Sequence, residues 1–266
     1  MEVNTKVNLS GLTLDNPVIP ASGTFGFGKE YVNFYDINIL GSISIKGTTV
    51  QRRKGNPQPR IAECYSGLIN SVGLENPGME NVIQKELKDL EKIYRKPVIA
   101  NISGFSIEEY VTLAREMDQV DNVGIIEVNI SCPNVDHGGL AFGTNANNVR
   151  ELTKKIKEVT TKPVYMKLSP NVTDIKEIAR AAEEGGADGI SLINTLMGMR
   201  ININRREPVI ANKKGGFSGP AIFPVALRMV YEVYEATNLP IIGIGGISSA
   251  EDVIEMMMAG ATAVQI

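Results

Sequence analysis

Histidine occurs once in this chain of 266 residues, cysteine twice and tryptophan not at all. Cys64, Cys132 and His137 together fall short of the four ligands of a structural zinc site of the Cys/His kind, and no metal site is expected. Any Ser-His-Asp or Cys-His catalytic machine must run through His137 or not exist. Two cysteines in so long a chain do not make the disulfide framework of a secreted protein. Long hydrophobic runs are missing as well, for none reaches the roughly 18 apolar residues that suggest a membrane span. The start, Met1-Glu2-Val3-Asn4-Thr5-Lys6, has no apolar signal core. Nor is one charge in excess, since 27 Lys and Arg against 30 Asp and Glu give a net charge of −3. That balance offers no general attraction to nucleic acid or to an anionic membrane. The expectation is a soluble, cytoplasmic protein.

What is present is ample apolar material, 43% of residues, and 26 glycines. The chain is long enough for two ordinary domains or for one large α/β barrel. Short β-rich runs recur at 17–21, 40–46, 97–102, 125–131, 163–168, 189–194, 240–245 and 262–266. They are continuous rather than alternating, as in parallel strands covered on both faces. Between them, Met79, Val82, Ile83, Leu87 and Leu90 keep helical spacing, as do Ile107, Tyr110, Val111, Ala114 and Met117. Ile222, Val225, Ala226, Met229, Val230 and Val233 do the same. Ser106-Ile107-Glu108-Glu109 and Ser248-Ser249-Ala250-Glu251 have the form of capping boxes, and Gly185-Gly186 of a helix stop.

Eight strands alternating with helices predict a (β/α)8 barrel, with a doubly wound open sheet as the competitor. No linker, repeat or low-complexity tract divides the sequence, so residues 1–266 are expected to form a single domain. Two long connections, 47–78 and 195–220, follow strands and fall on the face where barrel active sites form. The sequence ends at Ile266, in or just after the eighth strand, so the barrel is expected to lack its final loop and helix.

The strand ends carry the candidate chemistry. Lys46 and Lys167 lie in otherwise apolar strands, where a lysine is costly unless it faces an anion or reaches solvent at the barrel mouth. Gly243-Ile244-Gly245-Gly246 precedes a capped helix, and Ser218-Gly219 precedes another. Both turns suit a phosphate, which bare backbone and helix N–H groups can approach, though a Gly-Gly pair can be a tight turn and nothing more. Cys132 sits in a Ser-Cys-Pro-Asn turn after the fourth strand and reads either as a small buried hydrophobe or as an exposed, reactive thiol. His137 could activate it or simply be solvated. Asn70, Asn101, Asn129 and Asn194 fall near strand ends or in the long connections. Together they suggest a planar heterocycle bearing carbonyls and N–H groups.

The motifs Asn129-Ile130-Ser131-Cys132-Pro133-Asn134, Asn70-Ser71-Val72-Gly73-Leu74-Glu75-Asn76-Pro77-Gly78, Lys46-Gly47, Ser218-Gly219-Pro220-Ala221 and Gly245-Gly246 resemble those of dihydroorotate dehydrogenase. The resemblance spans nearly the whole chain. Cysteine at the base position is similar to class 1 enzymes, the membrane-attached class 2 enzymes having serine there. The runs 137–143 and 194–199 resemble the class 1B catalytic subunit.

The resemblance implies FMN-dependent oxidation of dihydroorotate to orotate in de novo pyrimidine biosynthesis, with Cys132 as general base and FMN as hydride acceptor. It implies that Lys46, Asn70, Gly73, Leu74, Asn129, Asn194 and Thr195 hold the substrate. It assigns the flavin to Ser22, Lys46, Gly47, Asn101, Asn129, Lys167, Ile193, Gly219, Gly245 and Gly246, with Lys167 near N1 and O2 and the last three glycines at the phosphate. It further implies a homodimer joined by a partner subunit that carries FAD and a [2Fe–2S] centre and passes electrons to NAD. The chain itself has no cysteine cluster for such a centre. Because the family has a further phosphate-binding pair after the eighth strand, this chain is expected to hold FMN weakly. A fumarate-using class 1A-like enzyme is the nearest alternative. A tRNA dihydrouridine synthase would bring a basic RNA-binding extension that the net charge of −3 argues against. A non-redox isomerase or lyase gripping a sugar phosphate is the alternative from another class.

Overall fold

A computed structural model describes residues 3–131 and 142–266. Seven short strands form one parallel sheet: β3 (Val18–Ile19), β6 (Val98–Ile102), β7 (Val123–Asn129), β8 (Val164–Lys167), β9 (Gly189–Leu192), β14 (Ile241–Ile244) and β15 (Ala263–Gln265). Their spatial order is β3-β15-β14-β9-β8-β7-β6. The two free edges, on β3 and β6, are joined by the segment 41–48. Gly41 N–H donates to Val18 O at 2.9 Å and Ser44 N–H to Pro20 O at 3.3 Å. On the other side, Ile45 N–H donates to Ile99 O at 3.0 Å and Ile99 N–H to Ile43 O at 2.8 Å. The sheet is thereby closed into a (β/α)8 barrel, as the run of continuous apolar strands predicts.

Helices cover the outside. The first runs through α1 (Met79–Asn81), a π-helical turn at Val82–Glu86 and α2 (Leu87–Glu91). It is followed by α3 (Ile107–Asp118), α4 (Ala146–Lys157), α5 (Ile175–Glu184), α6 (Phe223–Ala236) and α7 (Ala250–Met258). Their apolar stripes pack on the outward residues of the strands, with Leu113 and Met117 among the residues that share a cluster with Val128 and Met166. Each such side chain taken from water contributes about 1.5–3 kcal/mol. Among the described residues no helix is long and apolar enough to cross a membrane.

The helix starts differ in detail from the capping boxes read in the sequence. Ser106 accepts from Glu109 N–H as expected, but the Glu109 carboxylate reaches Phe105 N–H instead of the cap residue. At α7 the cap lies one residue later, with Ser249 and Asp252 forming the reciprocal pair. Asp252 offers the shorter acid that closes this box, and it also accepts from Ser248 N–H. The helix stop at Gly185-Gly186 is observed, Gly186 taking φ +91°.

The barrel interior is stratified. At the bottom Ile19, Ile99, Ile125, Tyr165, Ile242, Ile244 and Ala263 form a separate apolar plug. A hairpin that the sequence pattern did not announce, β1 (Val7–Leu9) with β2 (Leu12–Leu14), floors it with Leu9 and Leu14. Ser10 in its turn lies 3.0 Å from the Tyr165 hydroxyl. The long connections carry strands of their own. Residues 47–78 contain β4 (Ile61–Cys64) and β5 (Gly67–Asn70), and residues 195–220 contain β10 (Leu196–Gly198) and β13 (Gly215–Ser218). β4, β5, β10 and β13 form one antiparallel sheet in the order β10-β13-β5-β4, and between β10 and β13 the short strands β11 (Ile201–Asn202) and β12 (Glu207–Pro208) pair with each other.

Gly189 opens β9 against the Tyr165 ring, where a Cβ would penetrate the aromatic carbons. Gly189→Ala is expected to lower stability by about 1–3 kcal/mol or more, because the plug cannot yield space. Thermal denaturation of the two proteins checks this, and an unchanged melting temperature would refute it.

Candidate active site

Above the apolar plug the interior turns polar. Glu127 points inward from β7, fully buried, and ionised carboxylates are seldom buried without partners. Its Oε2 accepts from Asn101 Nδ2 at 2.6 Å and from Ser44 Oγ at 3.3 Å, and lies 3.4 Å from Lys167 Nζ. Its Oε1 accepts from Gln265 Nε2 at 2.7 Å. Gln265 Oε1 in turn accepts from Lys167 Nζ at 3.2 Å. Burial alone would push the Glu127 carboxyl up. The Lys167 ammonium and the hydrogen bonds from Asn101 and Gln265 outweigh it and hold the group below the usual glutamate range. Lys167 is thus paired inside the barrel, its ammonium not simply reaching solvent.

The amides gather one step higher. Asn129 ends β7, and its Oδ1 accepts from Asn194 Nδ2 at 3.1 Å and from Ser131 N–H at 3.1 Å. Tyr110 in α3 donates to Asn129 O at 2.7 Å, which fixes the strand end. Asn194 Oδ1 accepts from Thr195 N–H at 2.7 Å. Asn70, at the end of β5, donates to Gly216 O at 3.5 Å, so the mouth sheet carries it into the same neighbourhood.

Lys46 follows the closing segment, anchored by its N–H to Gly26 O at 2.9 Å. It is half-buried and has no ion-pair partner among the described residues. Burial lowers its ammonium below the usual lysine range; nearby Arg60 adds to the effect and Glu75 opposes it. Such a cation is stabilised by an incoming anion. Beside it, a Cβ on Gly47 would lie 2.9 Å from Asn101 Oδ1 and 3.7 Å from Leu74 Cδ2. The Gly73-Leu74 turn is left-handed at both residues, with φ +78° and +57°.

A different side of the mouth is made of glycine turns. A Cβ on Gly246 would come within 2.5 Å of Phe223 N and 2.9 Å of Gly219 O, so the turn after β14 meets the turn before α6 directly. Gly219, Gly245 and Gly246 take φ +120°, +125° and +73°, which L side chains rarely adopt. The expectation of free helix N–H groups here is not met: α6 continues the 3-10 turn Pro220–Ile222, Phe223 N–H donates to Pro220 O and Pro224 has no N–H, so what the turn offers is bare glycine backbone. Ile193 lines the cradle, its Cγ1 being 3.4 Å from the Cβ position of Gly245. Ser22 is buried in the turn after β3, closed by Thr24 N–H to Ala21 O at 3.0 Å.

The expected residues are therefore placed around the mouth, apart from Cys132 and His137, which lie outside the described residues. Glu127 and Gln265 are functional candidates that the sequence reading missed. The signal was available for the first: the argument that singles out Lys167 in an apolar strand applies equally to Glu127 between Ile126 and Val128. Gln265 has no such signal, because glutamine at the end of a strand is unremarkable until its partners are known.

A closed barrel with a lysine unpaired among the described residues, an amide cluster and two facing glycine turns at its mouth has the form of a barrel enzyme. The family model described as dihydroorotate dehydrogenase matches residues 4–266. The chain belongs to that family, and so is an oxidoreductase. It is 56% identical over 260 residues to the dihydroorotate dehydrogenase B (NAD(+)) catalytic subunit of Halalkalibacterium halodurans, covering 98% of this chain and 85% of that one. It is 57% identical over 261 residues to the protein of the same name from Bacillus cytotoxicus, covering 98% and 84%.

Because Lys46 is desolvated without a partner, Lys46→Met is expected to leave the melting temperature unchanged or raised. Calorimetry of the ligand-free proteins checks it, and a clear drop would assign Lys46 a structural role instead.

Proposed function

We propose that this chain is the catalytic subunit of an enzyme that oxidises dihydroorotate to orotate in de novo pyrimidine biosynthesis, with FMN as its cofactor and NAD as final acceptor. The observation that carries the reading is the divided mouth: a glycine cradle for phosphate on the β14 side, and unpaired Lys46 with the amides on the other. The residues fit FMN. Besides the cradle, Asn101 Oδ1 is buried without a partner next to Gly47, an acceptor that a ring N–H would satisfy.

In this reading Gly219, Gly245 and Gly246 hold the phosphate. Ser22, Lys46, Gly47, Asn101, Asn129, Lys167 and Ile193 contact the ring or the ribityl chain. Bound FMN supplies the hydride acceptor. Everything else falls to the protein. Lys46 meets the substrate carboxylate, for which its unpaired ammonium is suited. Asn70, Asn129, Asn194 and Thr195 pair with the carbonyls and N–H groups of the ring, and Gly73 and Leu74 add backbone contacts. Cys132, as thiolate, would take the C5 proton onto Sγ, and the C5 electron pair would form the C5–C6 double bond as the C6–H bond breaks and its hydride goes to the acceptor. Residues 1–266 act as one barrel domain.

The relatives named above are catalytic subunits of NAD-dependent enzymes. With two cysteines, this chain has no set for an iron–sulfur centre. FAD and [2Fe–2S] are therefore assigned to a partner subunit that joins a homodimer of this chain, in the cytoplasm.

The test is anaerobic mixing of FMN-loaded protein with dihydroorotate. Bleaching of the flavin is expected, and NAD reduction only after the partner subunit is added. Persistent yellow colour rejects the substrate; fumarate reduction without a partner favours the class 1A-like alternative. Cys132→Ala is expected to slow bleaching by about 10²–10⁴, the usual worth of a positioned base, while retaining FMN. Near-normal bleaching in that variant removes Cys132 from the mechanism.

A further inference from the structure

The polar layer beneath the mouth is expensive to build. Lys167 and Glu127 are a desolvated ion pair, and such pairs rarely stabilise a fold more than well-packed apolar residues of similar size. The plug one layer lower shows how this barrel fills its interior when stability is all that is required. The pair must therefore be read for what it does to its surroundings.

Its geometry is unusual for an ion pair. The two charges stand 3.4 Å apart, longer than the 2.7–2.9 Å or so of a tight charge-assisted bond. The short bonds of the carboxylate go instead to neutral amides, Asn101 at 2.6 Å and Gln265 at 2.7 Å. Gln265 touches both partners, donating from Nε2 to Glu127 and accepting at Oε1 from Lys167. It works as a spacer that keeps the ammonium from closing on the carboxylate. Lys167 has three N–H donors, and these two contacts are those it makes among the described residues. Asn101 then links Glu127 upward, since its other atom, Oδ1, is the unpartnered acceptor beside Gly47.

We propose that Glu127, held at a distance by Gln265, is a positioning residue that sets how much of the Lys167 charge is felt at the barrel mouth, and through it the reduction potential of the bound flavin. This rests on the reading of the mouth as an FMN site. A flavin that gains electrons is favoured by nearby positive charge and disfavoured by negative charge. Glu127 offsets part of the Lys167 charge, so it holds the potential below the value Lys167 alone would give.

The measurement is the midpoint potential of the FMN-loaded protein, followed by flavin absorbance during slow reduction against a reference dye, together with FMN affinity from fluorescence quenching. Glu127→Gln, which preserves shape and removes the charge, is expected to shift the potential upward. In a Lys167→Met background the same substitution should leave the potential unmoved, because without the ammonium the buried Glu127 carboxyl takes up a proton and has no charge left to remove. A purely structural role would alter melting temperature in both backgrounds and the potential in neither. Where Glu127→Gln does not fold, Gln265→Met keeps both charges, lets them close on each other and should shift the potential downward. An unmoved potential in the single variant that folds, or an equal shift in the Lys167→Met background, overturns the proposal. Wild-type protein that binds no FMN overturns the proposed function and this inference with it. A measurable wild-type potential that the variants leave untouched overturns this inference alone.

Discussion

The hydrogen bonds by which residues 41–48 join β3 to β6 fix nearly everything at the mouth. Without them the seven-stranded sheet has two free edges, and an open sheet has no interior. With them, Ser44 is brought to the Glu127 carboxylate and Gly47 to Asn101, and Lys46 comes to rest above both. The segment scarcely counts as a strand, meeting its neighbour through isolated bridges at Ser44 and Thr48. Its irregularity has a use. Every residue of 41–49 is buried except Lys46, which the segment leaves half-buried and, among the described residues, unpaired.

The stratified interior follows from the width of an eight-stranded barrel, which side chains can just fill. The lower layer is filled with isoleucines and Tyr165, and gives the barrel its rigidity. The layer above replaces packing by a connected set of polar contacts among Glu127, Lys167, Gln265, Asn101 and Ser44. In the proposed reading this order keeps the charges next to the ligand they serve. In the proposed reading the unpartnered Oδ1 of Asn101 is where the protein's own contacts stop and a ligand's begin.

Much of this was legible in the sequence. Continuous apolar runs announce parallel strands, and the lysines in two of them announce a site at the strand ends. The glycines at 245 and 246 are explained by their positive φ and by the absence of room for a Cβ near Phe223 N. What could not be read are features set by partners distant in sequence. The hairpin at 7–14 is too short for its alternation to stand out, and only the plug it covers gives it meaning. Gln265 acquires its role from Glu127 and Lys167, 138 and 98 residues away. The shift of the α7 cap from Ser248 to Ser249 turns on which acid reaches back, a matter of one side-chain carbon.

The mouth sheet has a consequence for how this site could change over evolutionary time. Strands β5 and β13 come from different connections, yet they are paired through Gly216 opposite Asn70 and Phe217 opposite Ile69. There is no space for a side chain at Gly216, because Thr195 occupies it. In many barrels each connection is a module that can be lengthened or exchanged without reference to the others. Here the two are stitched into one fabric, so neither can be grafted alone. A barrel that acquired a new specificity from this scaffold would have to inherit or replace both connections at once.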